Sequence, residues 1–257
     1  MNTVRHEWVV FLLAVQFLTR LPVEVGAAYT PERLAASVRY YPAVGALVGL
    51  LTAAAWAGAL TVFPPLVASL LSTALGLLLT GAFHEDGLAD LFDGIGGGRT
   101  AEASLAIMRD SRIGTFGTVA LVMVLGIKVA ALAALPPALG ALGLLAGHAL
   151  SRLAAVATIA TSRYVREEGA GRRAAEGLSL VSGLIAGALG AGAALPLFFA
   201  PEGGLGALGA GVLGLGLGAT LTRRFYEPKL GGHTGDCLGA VQQVSEIGFL
   251  LGLLAWV

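Results

Sequence analysis

Charge is what this sequence has least of. Asp, Glu, Lys and Arg make up 12% of its 257 residues, about half the ~25% of a soluble domain. Hydrophobic residues make up 56% and the mean hydropathy is +0.81. So few charges cannot cover the surface of a soluble globule this size, which excludes a soluble enzyme and a disordered chain. The net charge is zero, so no basic excess exists to attract nucleic acid. A single cysteine, Cys237, excludes an intrachain disulfide framework and a four-Cys zinc site. The 38 glycines follow no three-residue period, which excludes collagen. In a membrane protein such glycines let helix backbones approach closely.

Long apolar runs are present in quantity. A bilayer core takes about 20 apolar residues of helix. Seven segments qualify: 42–63, 65–83, 116–135, 139–159, 178–200, 205–221 and 238–257. Pro64, Pro65, Pro136, Pro137 and Pro201 fall in the connections, and Pro42 opens a helix where its missing N–H costs nothing. The run from Trp8 to Leu18 is too short to cross comfortably and predicts an interfacial or half-inserted helix over 6–20, with a full eighth span as the alternative. It imitates a signal peptide, but Arg20 and Glu24 stand between the run and the small residues at 26–28. The expectation is one all-α polytopic membrane bundle over 1–257, with a catalytic loop at 84–115.

The cations are sorted by loop. Thirteen of the 16 Lys and Arg lie between the short N-terminal run and the first full span or in the loops after the second, fourth and sixth, and the three intervening short loops hold none. The positive-inside rule makes the cation-rich face cytoplasmic and the membrane the inner one.

Acids are scarce too. Four of the five Asp (Asp86, Asp90, Asp93 and Asp110) fall within 25 residues. At about 100° per residue, Asp86, Asp90 and Asp93 point near 0°, 40° and −20°, one stripe of a helix. Grouped carboxylates suit a hard divalent ion, and Mg²⁺ is usually held by one or two of them plus substrate phosphates. A solvated acidic turn is the plainer alternative, but it leaves unexplained the Met108-Arg109-Asp110-Ser111-Arg112 segment, where two guanidiniums bracket a carboxylate. Arg forks match phosphate oxygens, and carboxylates, metal and Arg together describe phosphoryl transfer. The Gly94–Gly98 run has no Lys-Ser/Thr and so is not a Walker loop. Inside the spans lie Lys128, His148, Arg152, Gln242, Gln243 and Glu246. These are either functional or a structural ion pair, such as Glu246 with Lys128 or Arg152. Asp236, entering the last span, fits helix capping as well as it fits catalysis.

The segments His84-Glu85-Asp86-Gly87-Leu88-Ala89-Asp90-Leu91-Phe92-Asp93-Gly94 and Met108 to Gly117 resemble the signature of the cobalamin synthase family, the adenosylcobinamide-GDP ribazoletransferases. Phe17 to Pro22, Tyr40 to Gly45, Ser151-Arg152 and Gly235 to Ala240 extend the resemblance over nearly the whole chain. It implies a Mg²⁺-dependent membrane enzyme that joins adenosylcobinamide-GDP to α-ribazole or its 5′-phosphate and releases GMP. Read with the resemblance, Asp86, Asp90, Asp93 and Glu85 are the metal candidates, and Asp110 and Asp93 the catalytic ones. His84, Arg109, Arg112, Lys128, Arg152 and Asp236 are the substrate-binding candidates. The expected partners are the two substrates and the lipid bilayer, with no nucleic acid and with a homo-oligomer left open. Asp90 to Gly94 also matches the opening of the CDP-alcohol phosphotransferase motif, but no Ala-Arg follows and Asp110 has no carboxylate four residues later. A lipid-headgroup transferase is therefore the second reading, and a small transporter using Lys128, Arg152 and Glu246 the third.

Overall fold

A computed structural model describes residues 3–166 and 178–257. Eleven α-helices are described: α1 (Thr3–Leu18), α2 (Pro31–Ala36), α3 (Tyr41–Leu60), α4 (Pro65–Thr80), α5 (Phe83–Gly97), α6 (Ala101–Ile107), α7 (Thr115–Ala134), α8 (Pro137–Thr161), α9 (Leu180–Phe198), α10 (Gly204–Leu230) and α11 (Gly235–Trp256). Among the described residues there is no strand, only an isolated bridge between Tyr164 and His233. The expected all-α membrane bundle is what forms. Six helices are long and apolar enough to cross a bilayer: α3, α7, α8, α9, α10 and α11. α4, at 16 residues, passes the same test only together with α5, so the count is seven if that bent pair is one span.

Several boundaries differ from those expected. The span placed at 65–83 ends at Thr80, because Gly81 and Ala82 both take left-handed backbone, with φ of 65° and 55°. That pair bends the chain by 90° into α5. The segment 84–115, expected as a loop, is therefore mostly the helices α5 and α6. Lys229 donates to the carbonyls of Ile95 and Gly98 at the far end of α5, and the Arg20 side chain lies over Gly81 at its near end. Cations from the charged segments thus hold both ends of α5, which lies across the cation-rich end of the bundle rather than along the spans. The span placed at 205–221 runs on past Pro228 to Leu230 and ends where Gly231 takes left-handed backbone, so Arg223, Arg224 and Lys229 sit on helix rather than loop. α1 has 16 residues, about 24 Å, short of a bilayer core. It buries Val10, Leu13, Ala14, Val15 and Leu18 and leaves Trp8 exposed.

α8 and α11 are the most buried spans and form the centre. Val241, Ala240 and Ile247 of α11 join Leu88 and Leu91 of α5 in one core cluster. Phe249, Leu250 and Leu253 join Leu139, Ala146 and Leu150 of α8 in another. Small residues set the packing between α10 and α11, where a side chain added at Gly214 would strike the Gly248 backbone, and the reverse also holds. The glycine-rich 203–218 segment thus packs closely through its missing side chains.

Candidate active site

The acidic stripe forms, but its members face different surroundings. Asp93 is buried and closes the start of α7: its carboxylate accepts the Gly114 N–H at 2.7 Å and the Gly117 N–H at 2.9 Å. Both oxygens thus satisfy donors that a helix start leaves unpaired. Asp90 is half-buried, and its pKa is pushed up to about 7 by burial first and then by the neighbouring carboxylates Asp236 and Asp86. Glu85 points to another face and accepts from Gln243 Nε2 at 2.8 Å, deep among the spans.

The approach of α5 to α11 puts Asp86 and Asp236 beside each other. A Cβ at Gly87 would lie 2.9 Å from Asp236 Cα, and one at Gly239 would lie 2.9 Å from the His84 carbonyl. Glycine at both positions is what lets the backbones meet. The start of α11 is capped by Thr234, which accepts the Cys237 N–H at 3.3 Å. That frees Asp236 from the capping role weighed for it, and it takes Arg166 Nη2 at 2.6 Å instead.

A cavity of ≈ 260 Å³ opens at this junction. Its polar lining comes from Asp86, Asp236, Arg166, His84, Arg152 and Gln242. Its apolar walls include Phe17, Tyr41 and Phe83. The structure thus brings four expected site residues (His84, Asp86, Arg152 and Asp236) to one place, with Asp90 beside them. Arg109, Asp110 and Arg112 lie outside the cavity lining. Asp110 pairs with the exposed Arg112 at 2.5 Å, which lowers the Asp110 pKa to about 2. Their turn nevertheless adjoins the mouth, since Arg166 Nη2 also reaches the Met108 carbonyl at 3.5 Å.

Lys128 is buried and pairs with Glu246 at 2.5 Å, the ion pair that the sequence offered as the structural alternative. His148 Nδ1 lies 3.0 Å from the same carboxylate. Gln242 Nε2 donates to it at 2.6 Å. This network packs α7, α8 and α11 together beneath the cavity. Arg166, Tyr164, Phe17 and Tyr41 were not singled out from the sequence. The only signal for Phe17 and Tyr41 was their place in the matching segments Phe17 to Pro22 and Tyr40 to Gly45. Arg166 was one cation among many.

Among the described residues, no three His, Cys, Asp or Glu side chains gather closely enough to hold a metal ion alone. The donor set still suits Mg²⁺ of the substrate-completed kind. Burial first, and then the nearby Asp236 and Asp86 carboxylates, push the Asp90 pKa up to about 7. Mg²⁺ asks for only one or two carboxylates when phosphates supply the rest.

The sequence model of the cobalamin-5-phosphate synthase family matches residues 10–254. An adenosylcobinamide-GDP ribazoletransferase of Ralstonia pickettii is 43% identical over 100% of this chain and 99% of its own length. Proteins of the same name from Leptothrix cholodnii and Vibrio cholerae are 42% and 40% identical, each over 98% of this chain and 97% and 96% of their own. No solved structure matches the chain. The matches span the bundle, the acidic helix α5 and the cavity between them, and the chain belongs to the cobalamin-5-phosphate synthase family.

Proposed function

We propose that this protein joins adenosylcobinamide-GDP to α-ribazole, or to its 5′-phosphate, giving adenosylcobalamin or its 5′-phosphate and GMP. The observation that carries the reading is full-length identity of 40–43% to proteins of that name. The comparisons lend no support to a lipid-headgroup transferase or a transporter.

The reaction is a phosphoryl-group transfer. The ribose 3′-hydroxyl of the acceptor attacks the phosphorus that carries the corrinoid aminopropanol arm. A new P–O bond forms, the bond from that phosphorus to the bridging oxygen breaks, and GMP leaves with that oxygen. Asp86 and Asp236 face the cavity and orient the attacking hydroxyl. Its proton passes into the carboxylate group, where Asp90 holds a proton up to about pH 7, a value suited to general-base work. Arg166, fixed by Asp236, and Arg109 on the adjoining turn supply donors for the diphosphate oxygens. Mg²⁺ is the proposed cofactor, which Asp86 and Asp236 would hold together with the substrate diphosphate; it would neutralise charge on the leaving guanylate. The protein is proposed to sit in the inner membrane with the cavity mouth toward the cytoplasm, where the cations concentrate.

The test is an assay of purified protein in detergent with adenosylcobinamide-GDP, α-ribazole and Mg²⁺, reading GMP by chromatography. GMP release that stops on chelation is the expected result. No GMP with either form of the acceptor would overturn the reading, and full activity after chelation would remove the metal from it.

A further inference from the structure

Beneath the cavity, the buried carboxylates are already engaged. Glu246 is taken by Lys128, His148 and Gln242. Glu85 is taken by Gln243. Arg152 lies within charge range of both carboxylates, yet among the described residues it forms an ion pair with neither. It is 2% exposed; its Nη1 donates to the His148 carbonyl at 2.9 Å and lies 3.3 Å from His148 Nδ1, and its Nε has no partner. A buried charged donor left unmet is costly, and Arg152 is one of the residues lining the cavity. Its placement is built into the fold. A Cβ at Gly45 of α3 would lie 2.3 Å from the His148 carbonyl and 2.8 Å from Arg152 Cδ, so glycine there lets α3 close on α8 and packs the Arg152 stem between them.

The cavity also has an aromatic wall. The Phe17 and Tyr41 rings stack with centroids 6.1 Å apart, and Phe83 meets Phe17 edge-on at 5.5 Å. The volume of ≈ 260 Å³ is just below the usual range for ligand pockets, about 300–1,000 Å³. It suits one molecule the size of a mononucleotide, not a corrin macrocycle carrying GDP. The lining charges differ in what they already hold: Arg166 is taken by Asp236, whereas among the described residues the buried Arg152 guanidinium has no carboxylate partner.

We infer that this cavity is the acceptor subsite, with the aromatic wall taking a flat heteroaromatic base and Arg152 taking an oxygen of a phosphate on the acceptor ribose. Arg152 thereby sets a preference for the phosphorylated acceptor. The inference rests on the reaction proposed above.

The test compares wild type with Arg152→Gln and Arg152→Lys, using α-ribazole, α-ribazole 5′-phosphate and adenosylcobinamide-GDP. The readouts are kcat/KM for each acceptor and KM for the donor. Wild type should prefer the phosphorylated acceptor. In Arg152→Gln the preference ratio should fall about ten- to a hundredfold, the loss of one charge-assisted hydrogen bond, with partial recovery in Arg152→Lys. An unchanged ratio overturns the assignment. So does a donor KM that rises equally with either acceptor, which would give the phosphate to the donor diphosphate. Because Arg152→Gln could fail to fold, calorimetry on wild type without donor gives a second check: α-ribazole 5′-phosphate should bind well above α-ribazole, and equal binding overturns the assignment. Absence of GMP release from wild type with either acceptor would instead count against the underlying reaction.

Discussion

Arg166 Nη2 holds Asp236 Oδ2 at 2.6 Å, joining the segment after α8 to the first turn of α11 at the mouth of the cavity. Both side chains line the cavity, so the pair fixes the acidic rim where phosphate chemistry is proposed. Removing Arg166 takes away one preorganised donor and frees a carboxylate beside Asp86 and Asp90. Arg166→Gln should lower GMP release by about a hundredfold, as the loss of one donor to a developing anion does elsewhere. Near-wild-type turnover would remove Arg166 from the site.

Asp93 and Asp90 are three residues apart but should fail differently. Asp93→Ala orphans the Gly114 and Gly117 N–H groups, at about 1–3 kcal/mol each. Thermal unfolding in detergent should show a clear loss of stability. Asp90→Asn should reduce turnover and spare the fold. If Asp93→Ala keeps its unfolding temperature, the bond to α7 is not what that carboxylate is for.

The elevated Asp90 pKa gives a pH dependence with a definite sign. The group is raised from 3.8 to about 7, by burial first and then by Asp236 and Asp86. Between those values the folded state keeps a proton that the unfolded chain has shed. The Asp90 contribution is therefore full at the acid end and falls as pH rises through the window. Without divalent cation, the unfolding temperature of wild type should drop from pH ~4 to ~7 relative to Asp90→Asn, and added Mg²⁺ should offset the drop. Parallel curves for the two proteins would contradict this.

Lys128 and Glu246 form a pair with side chains 5% and 2% exposed. Removing one partner leaves a buried charge unpaired, at about 3–5 kcal/mol. Lys128→Met should accordingly lower detergent stability strongly, whereas Arg112→Ala, which breaks the exposed pair with Asp110, should leave the unfolding temperature unchanged. A stable Lys128→Met protein with impaired substrate binding would instead make Lys128 a ligand contact.

Orientation is checked by single-cysteine labelling on a Cys237→Ala background. An impermeant reagent applied from outside should label a cysteine at Glu202 and spare one at Ser111. The reverse pattern would invert the proposed topology.

Hydrophobic run length, proline punctuation and cation sorting determined the membrane bundle, because a bilayer imposes its thickness and polarity on any crossing helix. The carboxylate stripe was legible for a similar reason: helical spacing alone places Asp86, Asp90 and Asp93 on one face. What each acid does was not legible, because that depends on partners far away in the chain. Asp93 met the N–H groups of Gly114 and Gly117, Glu85 met Gln243, and Asp236 met Arg166. The bend at Gly81 and Ala82 also escaped the hydropathy pattern, since backbone dihedrals leave no trace in apolar content. The sequence by itself determined the bundle and the family-bearing motifs. Only tertiary structure decided which charges pair off beneath the cavity and which, like Arg152, are left facing it, because that choice is made by distances between helices rather than by spacing along one.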